Sequence, residues 1–340
     1  MSRLTKVTAA VAIALGLGVP VVARAPINIK LATQVPVNSS WHKALQDMGA
    51  EWESKTAGRV KLTIYPGGTQ GSEDATIKMM RPGVDQLQAN LLMAAGLSTI
   101  DESFNVFGMP FFFESDAEAA YVLEKLTPVL EQRLSAKGFK LLCWGSGGWV
   151  QLFSKKQLKT LEDVKAAKLF TSLGDDKAVQ WYKANGFHPV AISATDIPAQ
   201  LKLSTGMIDA APTPPYPALV MQIFRDAKYM LDVRVAPLLG ALVMTNEAWN
   251  KIDANDRPVV AAAEKAFEKR ILADAPAQDD SSVATMTQRG LVVTKLDPAA
   301  ATAFRAEAGK LTASMRGNMV PNDIFDAALR ERDAFRKMKK

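Results

Sequence analysis

The side chains that most often do covalent or metal chemistry are scarce here. His42 and His188 are the only histidines and Cys143 the only cysteine of 340 residues. Neither histidine has a ligand partner at helical or C-x-x-C-like spacing, so no metal site is expected. No G-x-S-x-G elbow is present, and no phosphate-binding glycine loop precedes a helix. Gly145-Ser-Gly-Gly148 has the glycine content of a nucleotide loop, but it lies inside strand-like sequence and lacks the following Lys-Ser/Thr. With no nucleophile beside a base, an enzyme is not expected, and neither is a cofactor. The pattern fits a binder.

The first residues say where. Arg3 and Lys6 form a positive n-region, Val7 to Val22 is an apolar run, and Ala23-Arg24-Ala25 has the form of a cleavage site. The run is short of the roughly 20 apolar residues a spanning helix needs, so residues 1–25 read as a secretory signal peptide and the periplasm as the destination. Taking away Arg3, Lys6 and Arg24 turns 41 basic residues into 38 against 35 acidic ones, and +6 becomes +3. No basic stretch interleaved with aromatics remains, which speaks against nucleic acid as a partner. A single cysteine permits no internal disulfide, so stability must come from burial. The remaining chain is long enough for two domains.

Short apolar or alternating runs recur between helical stretches, the pattern of an α/β protein. Strands are expected at 28–33, 60–65, 88–93, 140–144, 168–171, 208–211 and 240–245. Ser39 or Ser40 caps a helix to about Lys55 with Trp41, Leu45, Met48 and Trp52 on one face, and Ser72 starts another that stops at Pro82-Gly83. Ser115 with Glu118, Thr160 with Asp163, and Ser193 with Asp196 and Pro198 announce further helices, and one more is expected at about 175–184. Four prolines in Pro212-Thr-Pro-Pro-Tyr-Pro217 argue against both helix interior and central strand. From Asn246 onward the chain reads as mainly helical. No low-complexity linker separates the halves, which suits a hinge of ordered strands.

Four segments, in order, resemble the extracytoplasmic solute receptors of tripartite ATP-independent periplasmic (TRAP) transporters. Tyr65-Pro-Gly-Gly-Thr-Gln-Gly-Ser-Glu73 is similar to the family's P-x-G-x-L-G-x-E turn, and Val106-Phe-Gly-Met-Pro-Phe-Phe-Phe-Glu114 to its PF-F segment. Lys159-Thr-Leu-Glu-Asp-Val-Lys-Ala-Ala-Lys-Leu169 resembles TLEDLKGLKI, and Thr205-Gly-Met-Ile-Asp209 resembles TGVVDG. The resemblance implies a periplasmic-binding-protein-like fold: two α/β lobes joined by crossing strands and a long helix, with the ligand cleft between them. Lobe I is then expected at 26–150 with 237–275 returning to it, and lobe II at 151–236, with the helical part at 276–340 packing across both. A monomer that captures a small organic solute and delivers it to TRAP permease subunits is implied. The alternative is a receptor of the same fold that serves a sensor or envelope lipid traffic.

The pocket departs from the family pattern. Carboxylate-binding members carry an arginine at the end of the LKGLKIR strand, a second in NGxR and an asparagine in GQENP; these fall on Phe170, Trp149 and Thr213. Guanidinium grips a carboxylate with two charge-assisted bonds, which no aromatic ring reproduces. The ligand is therefore expected to be apolar or aromatic in large part. Asn38, Gln70 and Tyr216 are further candidates for ligand contact, with Ser39, Trp41 and His42 beside Asn38. His188 precedes Pro189 at a strand entry and reads as structural. Met79, Met80 and Met93 read as core filling. Were the ligand an acid after all, Arg81 and Arg225 are the cations to consider.

Overall fold

The computed structural model describes residues 25–84, 86–202 and 204–339, so the expected signal peptide, apart from Ala25, lies outside the described residues. The strands are β1 (Ile27–Thr33), β2 (Val60–Tyr65), β3 (Ala89–Met93), β4 (Phe139–Trp149), β5 (Gln151–Ser154), β6 (Lys168–Ser172), β7 (His188–Ile192), β8 (Ala210–Thr213), β9 (Tyr229–Leu231), β10 (Pro237–Thr245) and β11 (Val292–Thr294). The helices are α1 (Ser40–Lys55), α2 (Glu73–Met79), α3 (Ala94–Ile100), α4 (Asp116–Ala136), α5 (Leu161–Ala166), α6 (Asp176–Ala184), α7 (Ile197–Gln200), α8 (Pro215–Val220), α9 (Asn246–Lys251), α10 (Arg257–Gln288), α11 (Pro298–Ser314) and α12 (Asn322–Met338).

Two sheets organise them. The first runs β2-β1-β3-β10-β4, with β10 antiparallel to both neighbours and the other pairings parallel. The second runs β11-β9-β5-β8-β6-β7. Each sheet centres one lobe. Alternate residues of the first sheet enter different cores: Ile29, Leu31, Leu91 and Leu242 pack against α1 and α10, whereas Leu92, Leu141, Ala241 and Val243 pack against α4 and α12. A strand buried on both faces reads as a continuous apolar run, which is why Ala89-Asn-Leu-Leu-Met93 shows no alternation. The expected face of α1 is buried: Trp41, Leu45, Met48 and Trp52 meet Val260, Phe267 and Ile271 of α10.

The lobes are joined where β4 passes through Val150 into β5 and where the chain returns between β9 and β10. The third tie is α10, 32 residues and so about 48 Å long. Its first half packs on the first sheet through Phe267 and Ile271, and its last turns enter the second lobe through Val283 and Met286.

Local signals met different fates. Thr160 and Asp163 form both halves of a capping box on α5. Ser115 caps Glu118 N–H, but the Glu118 carboxylate turns to Glu114 N–H and to Arg336 of α12. Ser72 precedes α2 without capping it, its hydroxyl engaged by Asp74. Ser193 makes no cap bond, and only a single 3-10 turn, Ala194–Asp196, separates it from the short α7.

The proline segment needs correction. Pro212 sits in β8, an interior strand of its sheet, because β8 pairs fully with β5 but meets β6 only at Leu169↔Ala210, so the missing N–H breaks no ladder bond there. Pro215 and Pro217 occupy the first turn of α8, where the N–H groups would have no helical acceptor. One helix, α3, carries no local signal at all: Met93 is its N-cap and offers no side-chain bond.

Candidate functional site

Between the lobes lies a cavity of about 200 Å³. Lobe I supplies Gln34, Val35, Pro36 and Ser39 from the β1–α1 loop, Trp41 of α1, Ser72 to Asp74 at the start of α2, Met93, Ala95, Gly96 and Thr99, and Gly147 with Leu238 from β4 and β10. Lobe II supplies Phe170 and Ser172 of β6 with Leu173 just after it, Ile192 at the end of β7 with Ser193, Ala194 and Ile197 beyond, Pro212 and Thr213 of β8, and Tyr216, Pro217 and Val220 of α8 with Met221 at its C-cap. The site thus collects the carboxyl ends of β1, β3, β6, β7 and β8, where open α/β sheets hold ligands.

The walls are mostly apolar, and none of the described residues lining them is Arg, Lys or His. The lining acids are Glu73 and Asp74. Asp74 is engaged by the Ser72 hydroxyl and by Lys78 Nζ at 3.1 Å; burial raises its pKa, but these bonds outweigh it and the net direction is down. Glu73 has no cation among the described residues. Its Oε1 accepts Met93 N–H at 2.8 Å and the carboxylate also takes the Gly96 N–H, so a residue of α2 caps the otherwise uncapped α3. Burial pushes the Glu73 carboxyl up to about 7 against the pull of those two donors. A Cβ on Gly96 would overlap the Glu73 carboxylate and force it to move.

The lobes touch across the cleft. Gln34 is held by its amide to Gly71 C=O at 2.8 Å, and its Oε1 lies 3.5 Å from Ser193 Oγ of lobe II. Tyr216 Oη accepts Ser40 N–H at 2.9 Å, tying α8 to the start of α1. Near the outer edge Lys177 pairs with Glu102 at 2.6 Å.

Phe170, Thr213 and Tyr216 line the cavity together. Trp149 does not, and its expected place in the wall is corrected. The indole is 4% exposed, its Nε1 donates to Asp116 Oδ1 of α4 at 2.8 Å, and the Arg234 guanidinium lies over the ring at 5.8 Å. The cause is a break in the pleat: Gly148 has φ +95° and the register shifts opposite Leu238, so Trp149 leaves the face that Gly147 shows to the cavity. The Gly145-Ser-Gly-Gly148 run is the sequence mark of that bulge. Asn38 and Gln70 also fall outside the wall: Asn38 is an exposed left-handed turn residue whose N–H donates to His42 Nδ1, and its neighbours Gln34 and Ser39 take the lining positions. Trp41 is both a core residue and a wall residue. Met79 and Met80 pack in the core, but Met93 lines the cavity. Arg81 and Arg225 lie on outer surfaces and reach no part of it.

Behind the wall, Asp279 of α10 accepts Trp149 N–H at 3.0 Å and Tyr216 N–H at 3.1 Å. Nothing adjacent in sequence pointed to it.

The sequence model of the bacterial extracellular solute-binding proteins, family 7, matches residues 31–318. The chain belongs to this family. Its relatives include the 2,3-diketo-L-gulonate-binding periplasmic protein YiaO of Escherichia coli, 26% identical over 79% of this chain and 82% of that one. Among solved structures, the galactonate complex of the sugar acid binding protein DctPAm from Advenella mimigardefordensis superposes with a TM-score of 0.83 at 15% identity, covering 91% of this chain and 99% of that one. A TRAP periplasmic solute-binding protein of Pseudomonas putida with bound D-glucuronate gives 0.79 at 23% identity, over 91% of this chain and 97% of that one. Family and fold are those of the TRAP solute receptors, extracytoplasmic binders rather than enzymes. No helix of the described residues is long and apolar enough to cross a membrane.

Proposed function

We propose that this receptor captures a small, largely apolar organic solute by closing its two lobes and presents the closed form to the membrane subunits of a TRAP-type permease. The observation that carries the proposal is the cavity wall, apolar on both sides and without a cation among its described residues. The similar proteins named above bind acids: galactonate, D-glucuronate and 2,3-diketo-L-gulonate. Here an ionised carboxylate would be closed against Phe170, Leu238 and Ile192 with no guanidinium, and would bear a desolvation cost of at least a few kcal/mol. Contacts between the lobes such as Gln34 with Ser193 and Lys177 with Glu102 favour hinge closure as the mechanism, because they exist only when the lobes meet.

A thermal-shift screen tests the proposal, since bound ligand raises apparent stability by mass action. An aromatic and alicyclic set should raise the melting temperature where a matched set of sugar acids and C4-dicarboxylates does not. Stabilisation by the acid set alone would overturn it.

A further inference from the structure

We infer, building on the proposed cation-free apolar cavity, that the ligand itself carries the positive charge: a small organic ammonium whose apolar body lies against Phe170, Ile192 and Leu238 and whose nitrogen sits at the Glu73 carboxyl. The wall offers an ammonium a carboxylate and aromatic faces, and it offers an anion nothing ionic. Of the two acids, Asp74 is already neutralised by Lys78. Glu73 uses one lone pair on each of two backbone donors, at Met93 and Gly96, and a carboxylate has about four acceptor sites, so capacity remains. Capping α3 does not by itself require an acid, because any side-chain oxygen accepts an N–H. A carboxyl half-buried in an apolar wall with no counter-ion is costly to ionise, and a bound cation removes that cost. Phe170, Tyr216 and Trp41 add ring faces that attract cations.

Protonation sharpens the argument. The carboxyl is raised to about 7, so much of it is neutral below that pH, and an arriving ammonium must displace the proton. The charged groups around it are few. Its own helix carries Asp74 and Lys78, which pair with each other, and β3 and α3 carry no ionisable side chain. From lobe II, Gly174 abuts Asp74, with Asp175 beside it.

The test uses three probes on one skeleton, phenethylamine, phenethyl alcohol and phenylacetate, titrated calorimetrically into the full chain at pH 6, 7 and 8. The amine should bind at least about tenfold more tightly than the alcohol, and phenylacetate should not bind. Amine affinity should rise about tenfold between pH 6 and pH 8, following the ionised fraction of Glu73. At pH 6 binding should release a proton, seen as an apparent enthalpy that depends on the buffer. Glu73→Gln keeps one acceptor for the cap; it should lose the preference for amine over alcohol, the pH dependence and the proton release. If that variant does not melt cooperatively, the wild-type proton release decides alone. Equal affinity for amine and alcohol overturns this inference and leaves the apolar reading standing. Tightest binding of phenylacetate overturns both. Failure of every alkyl and aryl amine of four to ten carbons to bind overturns the inference.

Discussion

Glu73 and Asp279 use one device in two places. Asp279 is buried and Glu73 half-buried, each holds two backbone N–H groups, and neither makes an ion pair among the described residues. The donors of Glu73 both come from the start of α3, so it fixes one helix, and the residue also lines the cavity. The donors of Asp279 come from two chain segments, Trp149 at the end of β4 and Tyr216 in the first turn of α8, so it pins a lobe crossing to the long helix and does not line the cavity between the lobes. Gly148 is required there, because a Cβ would collide with the Asp279 carboxylate. The difference teaches that a buried acid without an ion pair becomes a candidate for ligand contact only where open space lies beside it. Otherwise it is an acceptor for peptide groups that strands and helices have left over.

Trp149 gives the largest expected effect on this comparison. It belongs to the crossing, buried with its Nε1 on Asp116, so Trp149→Ala should cost about 3–5 kcal/mol of unfolding free energy in urea titration. Ligand affinity, measured where the variant is still folded, should change by much less. A variant of normal stability that no longer binds would place the indole in the cavity wall and break the division between crossing and site.

The pH profile of stability comes next. Burial raises the carboxyls of Asp279 to about 6, Glu73 to about 7 and Glu264 to about 8. Each binds its proton more tightly folded than unfolded. The stability they contribute is therefore complete below the ordinary carboxylate range and is lost as pH rises to about 8. Asp163, held down chiefly by the Lys159 backbone N–H, and Asp256, held down chiefly by Arg59, act with the opposite sign and lose their contribution only as pH falls through their lowered values. The melting temperature should therefore be highest near pH 5 and decline toward pH 8. Glu264 is 2% exposed and its Oε1 has no hydrogen-bond partner, so Glu264→Gln should flatten the decline by a few kcal/mol at most, with no change in ligand affinity. A flat wild-type profile between pH 5 and 8 would show that these carboxyls ionise without penalty.

Much of the frame was legible because it is local. The period-two run at 28–33, the apolar face of α1 and the Thr160–Asp163 box each contain their own explanation within a few residues. The parts that were not legible depend on residues distant in sequence. Helix α3 begins without a local cap because Glu73 supplies it from 20 residues upstream. Pro212 is tolerated in an interior strand because its neighbour β6 pairs at a single position. In the site, Phe170, Thr213 and Tyr216 reach the cavity as their strand and helix positions imply, but Trp149 is turned out of the wall by one glycine of positive φ. The resemblance aligned the chain; the bulge decided which way the side chain pointed.

Phe170 is the smaller and more selective counterpart of Trp149. It is half-buried in the middle of β6, packed against the lobe II core and lining the cavity, so truncation should remove ligand contact while most of the core stays filled. Phe170→Ala should weaken binding of an apolar ligand by about 1–2 kcal/mol, roughly five- to thirtyfold. It should cost less unfolding free energy than Trp149→Ala. The two variants should thus separate the molecule's functions, truncation on the wall acting on affinity and truncation at the crossing acting on stability. Comparing calorimetric affinity with urea midpoints for both variants checks this. If Phe170→Ala leaves affinity unchanged, the apolar body of the ligand does not rest on lobe II, and the ligand must be held mainly by Val35, Trp41, Met93 and Leu238 of lobe I.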